Sequence, residues 1–393
     1  MASGLRAKLN ALSSAAPAAP KKPSRSGLIS RVSTEIADER LYDLTGTALR
    51  RIGWNGRRFD VEKCLFLDTE TTGLSHGAGT VAFLVGIGAV KDGLLTIEQY
   101  MLSDYSDEPD LLLAVGRRLQ AAESVCTFNG KTFDMPLLDT RFTLNRLRGE
   151  WVDLENLDLL TPARRAWKLR LGSCRLTRLE ERILGLTRED DVPGSEAPQR
   201  FFEYLKTGDM GPLEDVIEHN RQDITSLTTL LVKLCEVYDR PQAQQERMDL
   251  FSLGKALERQ GESAEARELY RLSAVPETAE TIQALRQSGV SAQAAWRLFQ
   301  LSRRTGDYET ARATLESMIA RRQMGDLPCE ELAKLYEHRL GDLRRALEYA
   351  NRALAQASAE DEDRRAAHLR RIARLERKLA QQNQKGEKQK WPL

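Results

Sequence analysis

Between Lys63 and Leu102 the chain sets short apolar runs between brief polar breaks. CLFLDTETTGL opens with an apolar stretch and turns acidic. VAFLVGIGAV (Val81 to Val90) and LLTIEQYML (Leu94 to Leu102) follow, divided by Lys91-Asp92-Gly93. Runs of this length between turn residues predict three adjacent strands, the first buried on both faces. A helix is expected near 107–121, a strand at 124–128, a helix from about 132 to 147 and a strand near 152–158. Helices then fill 160–235, the last beginning near 212. This order predicts a mixed α/β sheet with helices packed on it.

Beyond about residue 240 the strand pattern stops, and Ala, Leu, Glu and Arg recur at helical spacing. Gly261-Glu262 is followed by Ala266 and Tyr270, Gly306-Asp307 by Ala311 and Leu315, and Gly341-Asp342 by Ala346 and Ala350. The glycines, spaced by 45 and 35 residues, are expected to end the first helix of a pair, and the small residues to let paired helices approach. The second step lies near the roughly 34-residue tetratricopeptide period, so this part resembles a short, degenerate array of such repeats, a surface for a protein partner. Residues 1–35, with AAPAAPKKPSRSG, are too poor in apolar side chains to offset ordering entropy and are expected to be a disordered arm. The domains expected are therefore 1–35 (arm), 36–240 (α/β), 241–380 (helical repeats) and 381–393 (disordered tail).

A chain of 393 residues suits two domains better than one. The formal net charge of +1 gives no global sign of a polyanion partner, which leaves local charge to decide. Five scattered cysteines without a CxxC pair exclude a zinc ribbon or thioredoxin-like site and fit reduced thiols in a bacterial-type cytoplasmic protein. The sequence contains neither an apolar run of membrane-spanning length nor a signal-peptide core, so no membrane partner is expected.

Asp68-Thr69-Glu70 stands at the end of the first strand, where alternation puts both carboxylates on one face. Two carboxylates aimed at one point repel unless a cation lies between them, and hard ions such as Mg²⁺ or Mn²⁺ favour oxygen ligands. A second acid, Asp134, follows Phe128-Asn129-Gly130-Lys131-Thr132-Phe133 in the first turn of a helix; alone it reads more readily as a cap or dipole partner than as a ligand. A third group, His219-Asn220-Arg221-Gln222-Asp223, puts His219 and Asp223 four residues apart on one helix face. Phosphate contacts are expected from Lys131 and from Arg164, Arg165, Lys168 and Arg170 in PARRAWKLRLGS, with Thr69 and Asn129 at the nucleic acid too. Phe133 and Trp167 are candidates to stack on a base, though both read at least as well as core.

The order DxE, FNGxxFD, HNxxD resembles the DEDD exonuclease superfamily, whose fold is ribonuclease-H-like. The resemblance is nearest to bacterial YprB-type proteins. It is carried by DTETTGL, the GTVAFLVGIG strand, Leu159-Leu160-Thr161-Pro162-Ala163-Arg164-Arg165-Ala166-Trp167, Gly172-Ser173-Cys174 with Leu176, Glu189-Asp190-Asp191-Val192-Pro193-Gly194 and HNxxD, over roughly residues 40–240. It implies that Asp68, Glu70, Asp134 and Asp223 hold two divalent ions, Mg²⁺ or Mn²⁺, and that His219 orients or deprotonates the attacking water. Histidine-type enzymes of the superfamily usually separate this histidine from the last aspartate by five positions; here the spacing is four. The activity implied is 3′–5′ cleavage of single-stranded DNA or RNA ends. A structure-specific endonuclease and a non-cutting scaffold are the alternatives.

Overall fold

The computed structural model describes residues 27–56, 58–73, 79–147, 154–188, 194–274 and 289–390. In chain order its strands and helices begin with β1 (Ile29–Ile36), α1 (Gly46–Ile52), β2 (Cys64–Thr71), β3 (Ala82–Lys91), β4 (Leu94–Met101), α2 (Glu108–Gln120) and β5 (Ser124–Thr127). Next come α3 (Asp134–Leu144), β6 (Glu155–Asp158), α4 (Leu160–Leu171), α5 (Leu176–Leu179), α6 (Ala197–Thr207) and α7 (Gly211–Asp239). The rest is helical: α8 (Arg247–Arg259), α9 (Ser263–Ala274), α10 (Val290–Arg304), α11 (Tyr308–Ala320), α12 (Leu327–Leu335), α13 (Leu343–Gln356) and α14 (Glu362–Lys390).

The described residues of Met1–Tyr42, Asp60–Asp158 and Thr187–Thr228 form one compact unit, and those of Asp43–Phe59, Leu159–Leu186 and Thr229–Leu393 a second. The strands of the first unit make one sheet in the order β1-β4-β3-β2-β5-β6. Along that order, neighbours from β1 to β2 pair antiparallel, whereas β5 and β6 run parallel to β2. The carboxyl ends of β2, β5 and β6 therefore lie side by side, the usual place for a ligand site in an open α/β sheet. Leu65, Leu67, Phe83, Val85 and Ile87 on the central strands meet Leu111, Val115, Leu138 and Phe201 from the covering helices in one buried core. The rings of Phe83 and Phe201 stack with centroids 4.3 Å apart.

Glycine sets how closely α7 approaches the sheet. A Cβ on Gly88 of β3 would sit 2.5 Å from Ile224 Cγ2, so the GIG of VGIGAV is a contact seat for the helix. β1 begins at Ile29, inside the stretch whose composition suggested an arm. Its β-branched Val32 and Thr34 pair with β4, and Arg31 Nη1 donates to Glu214 Oε2 of α7 at 2.6 Å. A compositional average over Ala, Pro and Lys hid this short β-prone run. The first 26 residues of the expected arm, and the Glu189–Pro193 part of the acidic loop, lie outside the described residues.

In the helical unit, α8/α9, α10/α11 and α12/α13 form successive hairpins. Gly261, Gly306 and Gly341 each adopt positive φ at the turn, where a side chain would be strained. Ala266, Tyr270, Ala311, Leu315, Ala346 and Ala350 are all fully buried, as the repeat spacing requires. α14 continues through the residues read as a tail as far as Lys390, since Gln, Lys and Glu are good helix formers. All five cysteines are free and buried. Among the described residues, no helix is long and apolar enough to cross a membrane.

Candidate metal centre

β2 presents Asp68 and Glu70 at its carboxyl end, and α7 brings its 219–223 turn against them. Asn220, wholly buried on that turn, donates from Nδ2 to Asp68 Oδ2 at 2.9 Å and to the Asp68 carbonyl at 3.3 Å. Its Oδ1 accepts from Gln99 Nε2 at 2.9 Å, and Gln99 also donates to the Ile217 carbonyl at 2.7 Å. Asp68 lies opposite Gly86 on β3. A Cβ there would fall 2.3 Å from Asn220 Oδ1, so a residue without a side chain makes room for the amide that orients Asp68.

Asp134, only 5% exposed, enters from the first turn of α3. The Thr69 hydroxyl donates to its Oδ1. The turn before it is held by Asp158 at the end of β6, whose carboxylate accepts the backbone N–H of Asn129 at 2.9 Å and of Lys131 at 3.2 Å. Asn129 takes a positive φ of 69° there, which asparagine tolerates better than most residues.

His219 Nε2 lies 3.6 Å from Asp223 Oδ2 and 3.9 Å from Glu70 Oε1. Arg188 pairs with Asp223, and its Nη1 meets His219 Nδ1 at 2.9 Å. A guanidinium only donates, so Nδ1 is the acceptor and the ring proton of this arrangement sits on Nε2, toward the acids. Replacing Arg188 by Gln is expected to release that preference. Long-range ¹H–¹⁵N spectra of the metal-free protein should show a protonated Nε2 on His219 in the wild type and a tautomer mixture in the variant. A protonated Nδ1 in the wild type would contradict the assignment.

Burial and mutual repulsion both act on these acids. The Asp68 carboxyl is held well above the usual carboxylate range by burial first, then by the charges of Asp223, Asp134 and Glu70, against the bond from Asn220. Glu70 is pushed up to about 8 by burial and then by Asp223 and Asp134, with Arg188 opposing. Asp134 rises to about 6, again mainly through burial, despite the hydroxyl of Thr69. Acids that cannot all ionise together are the donor set that hard divalent cations suit, so the residues present fit such ions.

The structure thus brings Asp68, Glu70, Asp134, His219 and Asp223 into one group. Of the residues expected at nucleic acid, Asn129 and Lys131 are exposed on the turn before α3, and Phe133 is half-buried, while Thr69 is buried with its hydroxyl on Asp134. Arg164, Arg165 and Lys168 are exposed on α4 and belong to the helical unit. Arg170 is instead clamped to the buried Asp249, at 2.8 Å. Trp167 is 1% exposed and is core, not a stacking platform.

Sequence reasoning missed Asn220, Gln99, Gly86, Arg188 and Asp158. Asn220 did leave a signal: it falls on the stripe of Leu213, Val216, Ile217, Ile224 and Leu227, where a polar side chain must find buried partners. Arg188 left none. Among the described residues, the group whose ligand atoms all lie within 4.8 Å of one another is a different one, Asp326, Glu330 and His368 of the helical unit. There Arg364 bonds to Asp326, and Lys334 lies 2.7 Å from Glu330, so the charge of both acids is already offset.

Residues 65–235 match the family model of the RNase_H superfamily, and with the mixed sheet this defines a ribonuclease-H-like protein of nuclease-like fold. The chain is 30% identical over 334 residues to the protein YprB of Bacillus subtilis (strain 168), covering 83% of this chain and 77% of that one. It therefore belongs to the YprB family. A solved structure of the family B DNA polymerase from the hyperthermophilic archaeon Pyrobaculum calidifontis is similar at a TM-score of 0.37 and 14% identity, over 50% of this chain and 29% of the polymerase.

Proposed function

We propose that the chain is a metal-dependent nuclease that removes nucleotides from the 3′ end of single-stranded DNA or RNA. The observation behind this reading is the burial of Asp68, Glu70 and Asp134 in one group where each carboxyl is held above its ordinary range. With Asp223 they would hold two Mg²⁺ or Mn²⁺ ions. Ions held there would supply Lewis acidity toward a water and toward the charge on a leaving 3′ oxygen.

The chain's own residues set the geometry. Asn220 orients Asp68, Thr69 orients Asp134, and Asp158 fixes the turn that delivers it. His219 would handle the proton of the attacking water, its Nε2 becoming a base only after Arg188 leaves Nδ1 and the ring proton moves there. Lys131 and Asn129 flank the turn and meet the phosphate backbone. The helical hairpins serve as a tetratricopeptide-like support or partner surface.

Purified full-length protein with Mg²⁺ or Mn²⁺ should shorten a 5′-labelled oligonucleotide stepwise and stall at a blocked 3′ end. EDTA, or Asp68→Ala, should lower the rate on the order of 10³-fold or more. Internal cutting of the blocked substrate would transfer the assignment to an endonuclease. No cleavage of DNA or RNA by the wild type with either ion would remove it.

A further inference from the structure

The cations of PARRAWKLRLGS have partners that the sequence did not suggest. Within the helical unit, Arg164, Arg165 and Lys168 of α4 line an open cleft of about 400 Å³ together with Lys255 and Arg259 of α8, and Thr161 and Ser252 share the lining. Among the described residues lining it, none is acidic. Other cations of the same unit are neutralised: Arg170 by Asp249, Arg51 by Glu262, Arg267 by Asp307. Burial first, and then the charges of Arg259 and Arg297, hold the Lys255 ammonium below the ordinary lysine value. Like charges gathered into one concave surface focus a positive potential there and favour an anion.

The spacing narrows the kind of anion. Arg164 and Lys168 are one turn apart on α4, as are Lys255 and Arg259 on α8. Each pair is therefore separated by about 6 Å along its helix axis. Two rows of charge in an open cleft match a run of anionic groups better than a single one. Arginine and lysine together suit phosphate.

We propose that this cleft binds the phosphodiester backbone of single-stranded nucleic acid, giving the helical unit its own docking site for the polymer. The choice of polymer rests on the nuclease reading; the presence of an anion site does not.

The test is fluorescence anisotropy of full-length protein with a labelled 20-nucleotide oligo-dT or oligo-rU in EDTA across a KCl series. Charge reversal with Lys255→Glu and Arg259→Glu together should weaken binding at least tenfold. It should also lower the slope of log K against log [KCl] by about 1.4, at about 0.7 for each phosphate of a single strand that is no longer neutralised. The pair Lys255→Gln and Arg259→Gln, checked by an unchanged melting curve, should fall between in affinity with a similar loss of slope. Unchanged affinity and slope in both pairs would overturn the site. So would equal competition by a poly-glutamate peptide of the same charge, which would point to an acidic protein partner. Cleft-dependent binding by a wild type that cuts neither DNA nor RNA would defeat the nuclease reading and leave the cleft standing.

Discussion

Changing Glu70 to Gln is expected to abolish metal-dependent cleavage while making the metal-free protein more resistant to heat at pH 8. Burial and the charges of Asp223 and Asp134 raise the Glu70 carboxyl from 4.5 to about 8 in the folded chain. Between those values the folded state keeps a proton that the unfolded chain has released. Stability attributable to Glu70 is therefore complete below about pH 4.5 and is lost as pH climbs toward 8. Glutamine does not titrate, so the variant should escape this loss and gain on the order of 1–3 kcal/mol at pH 8, with little difference near pH 4. Mg²⁺ or Mn²⁺ at pH 8 should stabilise the wild type and leave the variant almost unmoved, because ions that bind only the native site stabilise by linkage. Thermal unfolding of both proteins at the two pH values, with and without ion, decides the matter. A variant less stable than the wild type at pH 8 without metal would mean that Glu70 is not held under strain by its neighbours.

Gly86→Ala should cost about 2–4 kcal/mol, well above the effect of an ordinary exposed glycine-to-alanine change in a strand. The added methyl would fall 2.3 Å from Asn220 Oδ1 and 2.9 Å from its Cγ, and both atoms belong to an amide held by Gln99 and Asp68. The amide can yield only by releasing Asp68, so cleavage should fall with stability. Shortening the clashing side chain in Gly86→Ala with Asn220→Ala should recover stability relative to the sum of the two single changes, but not activity, since Asp68 then lacks its orienting donor. A double-mutant cycle by denaturant unfolding measures that coupling. Additive losses would show that Gly86 and Asn220 do not meet.

Much of the sheet was legible because its strands are short apolar runs between turn residues. β3 and β4, with the Asp92-Gly93 turn between them, fall within a residue or so of where the pattern put them. The acids were legible for a similar reason: DxE on a strand and HxxxD on a helix bring side chains to one face by period alone. What periodicity could not show was long-range pairing. Arg188 reaches His219 and Asp223 from a loop 31 and 35 residues earlier, and Asp158 holds backbone N–H groups 29 and 27 residues before it. Local patterns carry no record of such contacts. The fate of the PARRAWKLRLGS cations divided for the same reason: Arg170 is claimed by Asp249, whereas Arg164 and Lys168 are joined by Lys255 and Arg259.

A single turn of α7 holds His219, Asn220 and Asp223, and its neighbours Ile217 and Ile224 are locked into the core or against glycine. Successive residues on a helix differ by about 100° in direction, so slipping this segment by one position would swing all three away from the sheet at once. The centre is therefore assembled or absent as a unit. Sequence drift along this turn can dismantle the group in one step, but offers few routes to loosen it by degrees.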